Sequence, residues 1–155
     1  MDVVLNWKGK MSFEGVSDSG FAQKMDADGA AGGENSAGRP MEFIALGLAG
    51  CTGMDVISIL QKKKQPVTNF QVQVHAPRAD EHPKVFSSAV IEYLVTGKDV
   101  DESALLRAIE LSAEKYCPAQ AMLGKAFPMQ LVYKIFDEDG KTLIKQGVYA
   151  AKVGR

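Results

Sequence analysis

The sequence has few cysteines and little net charge, and each shortage excludes a class of protein. Two cysteines among 155 residues are too few for a scaffold held by disulfide bonds. The formal net charge is −1, and no stretch concentrates Lys and Arg enough to predict a nucleic-acid surface. No run of about 18 apolar residues lacks charges or glycines, so we expect no membrane span.

The start of the chain also lacks a feature, because no basic segment precedes a long apolar run there. We therefore expect no signal peptide and a cytoplasmic protein, in which a disulfide would be transient rather than structural. The length suits one domain over residues 1–155, large enough to bury its own core.

The hydrophobic pattern predicts an α+β fold with mostly antiparallel strands, because strands and helices do not alternate regularly. A glycine-rich stretch at residues 26–39 predicts a flexible loop. Asp99 and Glu102 form a predicted capping box that opens a helix ending at Tyr116. The other predicted helices span residues 40–63 and 118–125, and the predicted strands span residues 3–8, 11–16, 21–25, 67–76, 85–95, 129–136 and 142–150.

The helix predicted at residues 40–63 is apolar on nearly every face, which is typical of a centrally buried helix. Gly47, Gly50 and Gly53 recur along it at a spacing of three. Glycines at such positions indicate either close approach of another helix or chain, or a bend in this one. One domain does not easily surround such a helix, so we expect a dimer whose long helices share one core.

The two cysteines are the candidate chemical centre. Cys51 lies inside the long helix, and Cys117 stands before Pro118 at a helix start, where the dipole is expected to favour a thiolate. Both could instead be buried structural residues, as free cysteines often are. A metal site with His75 and His82 is not expected, because no ligand pair has a recognised zinc spacing.

Three segments together resemble one family: PMEF at residues 40–43 after a Gly-rich loop, AGCT at residues 49–52, and YCP at residues 116–118. They are similar to segments of the osmotically inducible protein and organic hydroperoxide resistance (OsmC/Ohr) family. The order of elements matches over nearly the whole chain. GCTGMDV at residues 50–56 is most similar to the less characterised members.

The resemblance implies an intertwined homodimer with mostly antiparallel sheets around two long central helices and active sites at the interface. It implies a peroxidase that reduces organic hydroperoxides, with hydrogen peroxide as a further candidate substrate. Cys51 would be the peroxidatic residue, forming a sulfenic acid, and Cys117 the resolving residue, forming a disulfide. An external thiol or a dihydrolipoyl group would reset the pair, without a metal or bound cofactor.

The resemblance also implies an arginine from the N-terminal segment, and this sequence has no clear counterpart. Lys8, Lys10 and Lys24 are the cations that precede Arg39, and a lysine lacks the planar fork of a guanidinium. Arg39 is therefore the candidate substitute, with a solvated loop residue as the alternative.

Glu42 is the candidate for the family glutamate at the start of the long helix. It precedes Cys51 by nine positions, which puts the two residues on opposite faces of an unbroken helix. Either the helix bends at Pro40 or Glu42 serves the N-terminal dipole. Thr52 and Asp55 are the polar residues near Cys51, and Asp55 shares its helix face.

Two other functions stay open from the sequence. The missing N-terminal arginine also suits a redox-sensing or small-molecule-binding module of the same fold with little turnover. A structural dimer with both cysteines in the core is the third hypothesis.

Overall fold

The structure, a computed structural model, describes residues 1–150. Its elements confirm the predicted α+β class. The chain divides into two compact units, Met1–Ala45 and a second that begins at Leu46. The elements are β1 (Val3–Gly9), β2 (Ser12–Ser17), β3 (Ala22–Met25), α1 (Pro40–Lys62), β4 (Val67–His75), β5 (Ala89–Gly97), α2 (Glu102–Leu111), α3 (Pro118–Leu123), β6 (Met129–Phe136) and β7 (Leu143–Tyr149).

The first unit contains a three-stranded antiparallel sheet in the order β1-β2-β3. The hairpin between β1 and β2 turns at Gly9, with φ at 110°, and Lys10, with φ at 47°. Backbone of this left-handed kind favours glycine, which has no Cβ to clash. The strands predicted at residues 3–8 and 11–16 therefore form a hairpin.

The loop of residues 26–39, predicted to be flexible, has a defined conformation organised by the carboxylate of Asp26. That side chain is 3% exposed and accepts hydrogen bonds from Ala27 N (2.8 Å), Glu34 N (3.1 Å), Ser36 N (3.0 Å) and Ser36 Oγ (2.7 Å). The bonds from Ser36 and its neighbours lower the pKa of Asp26 to about 2. The glycine-rich composition correctly predicts a loop but not its fixed conformation. That conformation depends on the hydrogen bonds to the Asp26 carboxylate.

The second unit contains a four-stranded sheet in the order β4-β5-β6-β7. Its pairs are antiparallel except for β5 and β6, which are parallel. A parallel pair needs a long crossover connection, and here the crossover holds α2 and α3. Ile91, Tyr93 and Val95 of β5 are all buried in the core, because alternate residues of a strand point to the same face.

Two predicted boundaries are wrong. The strand expected at residues 85–95 runs over Ala89–Gly97, because the preceding segment pairs only through a bridge between Arg78 and Phe86. The helix cap expected at Asp99 is Asp101, whose side chain accepts from Ser103 N at 2.9 Å. Asp99 instead has φ at 55°, in a turn that precedes the helix.

Helix α1 packs Val56 and Leu60 into the core of the second unit, while Leu46 and Met54 are 64% and 74% exposed. A Cβ at Gly53 would lie 3.2 Å from Val72 Cγ2, whereas positions 47 and 50 have no neighbour within 4 Å. Within one chain, close approach of a neighbouring side chain therefore accounts for the glycine at position 53 but not for those at positions 47 and 50. Within residues 1–150, α1 is the one helix that could cross a membrane by length and composition, a test that core helices of soluble proteins also pass.

Candidate active site

The structure brings the two cysteines together in the second unit. Cys51 lies on α1 and is half-buried, whereas Cys117 precedes α3 and is buried. Burial and the neighbouring Cys51 thiol, through hydrogen bonding and charge, both raise the pKa of Cys117. Such interactions act only at short range, so the two thiols are neighbours although their elements lie far apart in sequence.

Cys117 does not have the thiolate character that its place at a helix start predicted. Burial raises its pKa to about 11, although Gln120 N donates to its sulfur at 3.4 Å and lowers the pKa in part. The prediction fails because α3 has six residues, while removing a thiolate from water is costly. Cys117 is therefore a neutral thiol near pH 7, and Cys51 is the more accessible of the two.

A buried hydrogen-bonded network surrounds the pair, with the hydroxyl of Thr52 at its centre. Thr52 is fully buried and follows Cys51 in the chain. Its Oγ1 lies 2.6 Å from Tyr93 Oη and 2.9 Å from Ser112 Oγ, and it accepts from Gln120 Nε2 at 2.8 Å. The hydroxyl of Ser112 in turn donates to Asp55 Oδ2 at 3.0 Å.

The direction of each hydrogen bond in this network follows from the donors available. The hydroxyl of Ser112 donates its one proton to Asp55. Thr52 must then donate to Ser112, and it accepts from both Tyr93 and Gln120. The three hydroxyl groups, those of Thr52, Tyr93 and Ser112, are all satisfied in this one arrangement, which favours a rigid network. Burial in this setting raises the pKa of Tyr93 to about 12 and keeps the phenol protonated.

A π-helical turn over Ser112–Tyr116 places Cys117 beside this network. The helix predicted to reach Tyr116 is α-helical only to Leu111, after which Cys117 N donates to Ser112 O at 2.9 Å. Such turns are rare in proteins overall, but those that occur are often at functional sites. The wider turn changes the direction in which the chain enters Cys117. No local propensity in the sequence predicts this π-helical turn.

Arg39 and Glu42 form a cluster of their own in the first unit. Arg39 N donates to Glu42 Oε2 at 2.9 Å, and Arg39 Nη1 donates to Oε1 at 3.3 Å. Glu42 thus serves the N-terminus of α1, one of the two roles that the sequence left open. The guanidinium also contacts Asn35 and Asp28, so Arg39 is not a free loop residue.

The lysines considered as substitutes for the family arginine are exposed, and two of them pair with glutamates. Lys8 pairs with Glu14 and Lys10 with Glu34. Within residues 1–150, no three His, Cys, Asp or Glu side chains form a group that could hold a metal. His75 lies at an exposed position of β4.

Three members of the buried network were missed by the sequence analysis: Tyr93, Ser112 and Gln120. Thr52 and Asp55 were noted because both are polar residues near Cys51, and Asp55 shares its helix face. The others belong to β5, the π-helical turn and α3, so only the tertiary fold brings them to Thr52. A buried tyrosine on a core strand was the one available signal, because its hydroxyl needs a partner.

The α+β fold, which carries one cysteine inside a long helix and a second at a later helix start, matches the class of OsmC-like proteins. Residues 33–132 match the family described as OsmC-like protein. Protein YhfA of Escherichia coli (strain K12) is 36% identical over 135 residues, which cover 87% of this chain and 98% of that protein.

Solved structures show the same fold. A hypothetical protein from Aquifex aeolicus VF5 has a TM-score of 0.77 and 28% identity, over 88% of this chain and 96% of that one. An organic hydroperoxide resistance protein OsmC from Legionella pneumophila has a TM-score of 0.64 and 14% identity, over 88% and 97%. The second likeness concerns the fold alone.

The chain belongs to the OsmC/Ohr family, which confirms the resemblance noted from the sequence. This family includes cysteine enzymes that reduce hydroperoxides. Membership therefore supports a peroxide-resistance or redox-related role.

Proposed function

We propose that this protein is a thiol-dependent peroxidase that reduces organic hydroperoxides through Cys51 and Cys117. The observation that carries the proposal is the pairing of a more accessible thiol, Cys51, with a buried and protonated neighbour, Cys117. A two-cysteine peroxidase needs one thiol that meets the substrate and a second that can reach the resulting sulfenic acid. The apolar surroundings of α1 favour organic hydroperoxides over hydrogen peroxide.

In the first step, the Cys51 thiolate attacks one oxygen of the peroxide O–O bond. The S–O bond forms as the O–O bond breaks, and the alkoxide leaves and takes up a proton to become an alcohol. Sulfur is oxidised by two electrons to a sulfenic acid, and the peroxide is reduced by the same two.

In the second step, the Cys117 thiol condenses with the Cys51 sulfenic acid. The sulfur–sulfur bond forms, and the hydroxyl of the sulfenic acid leaves with the thiol proton as water. Because the pKa of Cys117 is about 11, this proton is still present when the leaving group needs it. An external thiol or a dihydrolipoyl-type dithiol then reduces the disulfide by exchange.

Arg39 and Glu42 are the proposed supporting pair, in place of the family's N-terminal arginine and helix-start glutamate. The guanidinium and carboxylate already contact each other, so the pair is pre-organised. A cation near the reacting sulfur would stabilise a thiolate. Replacing Arg39 with Met tests this role through the rate of the first step.

The working form that we propose is a cytoplasmic homodimer joined along one face of α1. This face consists of Leu46, Ala49, Gly50, Met54 and Ile57, and it lines an open apolar surface together with Phe70 and Val72. Exposed apolar patches of this kind are typical of interaction sites. Sedimentation analysis of the wild type and of Met54→Asp would test the assignment, since a charge on this face should yield monomers.

Thiol counting after treatment with an organic hydroperoxide tests the peroxidase directly. The reduced wild type should lose both thiols and gain a Cys51–Cys117 disulfide, detected by peptide mass. Cys51→Ser should lose peroxide consumption. Cys117→Ser is its matched control, since it should consume one equivalent and accumulate a trappable sulfenic acid. Unchanged peroxide consumption by Cys51→Ser would show that the proposal is wrong.

Redox sensing is the second candidate, favoured by the engagement of Arg39 with Glu42, Asn35 and Asp28. A guanidinium that already faces two carboxylates stabilises a thiolate less than a free one does, and this would slow turnover. Steady-state assays with a dithiol reductant separate the two functions. Repeated turnover supports the peroxidase, and a single stoichiometric burst supports sensing.

A further inference from the structure

Two side chains connect the segment around Cys117 to helix α1, and both contact Thr52, although Ser112 also donates to Asp55 of the same helix. Gln120 donates its backbone N–H to Cys117 Sγ at 3.4 Å and its side-chain amide to Thr52 Oγ1 at 2.8 Å. Ser112 accepts the backbone N–H of Cys117 at 2.9 Å, and its hydroxyl lies 2.9 Å from Thr52 Oγ1. Each residue therefore holds Cys117 with one group and Thr52, the neighbour of Cys51, with another.

We propose that Thr52, Ser112 and Gln120 are positioning residues that hold the Cys117 thiol beside Cys51. This inference rests on the proposed function only in its biological purpose, because the geometry that it concerns belongs to the reduced protein. It gives a role to the polar network at the junction of α1 with the crossover. These three side chains are buried, at 0%, 0% and 8% exposure.

The physical effect expected of such bridges is a high effective concentration of one thiol at the other. Groups held in a reactive geometry combine far more readily than groups that must find each other. Burial strengthens the bridges, because a broken one leaves a polar group without water as a substitute. Loss of a bridge should therefore reduce the tendency of the two sulfurs to bond.

The equilibrium with glutathione measures this tendency without any peroxide. Oxidised glutathione takes two electrons from the pair, so that two thiols become one protein disulfide and two glutathione thiols are released. Thr52→Val, Ser112→Ala and Gln120→Met each remove a bridging group while nearly preserving shape. We expect each to lower this equilibrium constant about tenfold, equal to about 30 mV in the potential of the pair.

Conservative replacement and a matched control separate positioning from general stability. Thr52→Ser keeps the hydroxyl and should restore the constant nearly to that of the wild type. Tyr133→Phe also removes one hydrogen bond of a buried tyrosine, the 2.6 Å contact with Glu102, and should leave the constant unchanged. If Thr52→Val does not fold, Ser112→Ala and Gln120→Met decide the question.

An unchanged or larger constant in the bridge variants, or an equal decrease in Tyr133→Phe, would overturn the proposal. Its failure is distinguishable from that of the peroxidase. If the wild type reduces no hydroperoxide but the variants still lower the glutathione equilibrium constant, the positioning proposal stands and the peroxidase proposal fails. If the wild type reduces hydroperoxides but its glutathione equilibrium is the same in these variants, the peroxidase proposal stands and the positioning proposal fails.

Discussion

The loop around Asp26 and the network around Thr52 solve the same problem, the burial of a polar group, in different ways. Asp26 is an ionised carboxylate whose partners all lie within ten residues of it. Thr52 is a neutral hydroxyl whose partners lie 41 to 68 residues away. The first arrangement shapes one loop, and the second joins a helix to a strand, a turn and another helix.

This difference determines what happens when a partner is lost. Several donors to Asp26 belong to half-buried or exposed residues, so water can replace the carboxylate as the loop opens. The partners of Thr52 are buried side chains, where water has no ready access. A buried group that loses its partner bears the full cost of desolvation, so the Thr52 network should be the more sensitive of the two.

The largest expected effect on stability is therefore that of Thr52→Val. The change leaves the donors of Tyr93 and Gln120 without an acceptor, and we expect a loss of about 3 kcal/mol in the free energy of unfolding. Urea unfolding followed by circular dichroism measures it. Thr52→Ser is the control, and an equal loss there would assign the effect to the missing methyl group.

Asp26→Asn should destabilise the protein less than Thr52→Val does. The amide offers one acceptor oxygen to four donors, and its own donors face the N–H groups of the loop. Asp139→Asn is the matched comparison, because Asp139 accepts from Lys141 N, Thr142 N and Thr142 Oγ1 at an exposed turn. Urea midpoints should rank Asp139→Asn closest to the wild type, and the reverse order would contradict the comparison.

The two regions should also respond at opposite ends of the pH range. The pKa of Asp26 falls from 3.8 to about 2, so its contribution is complete above about pH 4 and is lost as the pH falls towards 2. The pKa of Tyr93 rises from 10.0 to about 12, so its contribution is complete below pH 10 and is lost as the pH rises towards 12.

Urea midpoints measured across pH test this assignment. Asp26→Asn should flatten the acid side, and Tyr93→Phe should flatten the alkaline side. Neither slope should vanish, because the pKa of Asp101 and Asp139 is also lowered and that of Tyr133 is also raised. If the urea midpoint of Asp26→Asn fell with pH as steeply as that of the wild type, the Asp26 carboxylate would not contribute to the acid dependence of stability.

The smallest expected effect concerns the coupling of the two thiols. Burial is the largest cause of the raised pKa of Cys117, and Cys51 adds to it through hydrogen bonding and charge. Cys51→Ser removes the charge, so the pKa of Cys117 should fall while it stays above 9.0, the ordinary value. Ultraviolet absorbance of the thiolate during a pH titration measures it, and a pKa that rises would contradict the coupling.

Local patterns predicted the elements well where one face of an element is buried. Alternation along residues 129–136 matches β6 as observed, and Pro40 marks the start of α1. The capping error at Asp99 arose because two acidic residues lie near the same helix start, and only backbone conformation shows which one caps. The parallel pairing of β5 with β6 depends on the path of the crossover, which no local pattern reveals.

The sequence predicted the two cysteines of the candidate site, but neither their proximity nor the pKa of Cys117. Cys51 and Cys117 stand out by their contexts, but the sequence does not show that they are neighbours. The raised pKa of Cys117 follows from burial, a property of the fold, and it outweighs the helix start that local reasoning relied on. Their catalytic roles, and those of Arg39 and Glu42, stay predictions for the experiments above.

The neighbouring thiols also link the redox state of the chain to its folding. A bond between Cys51 and Cys117 would close a long loop and restrict the unfolded chain far more than the folded one. The chain-entropy model gives about 4 kcal/mol for a loop of this length. Each encounter with an oxidant would thus leave the molecule harder to unfold, and reduction would release that restraint, so that resistance to proteolysis would report the oxidation state of the pair.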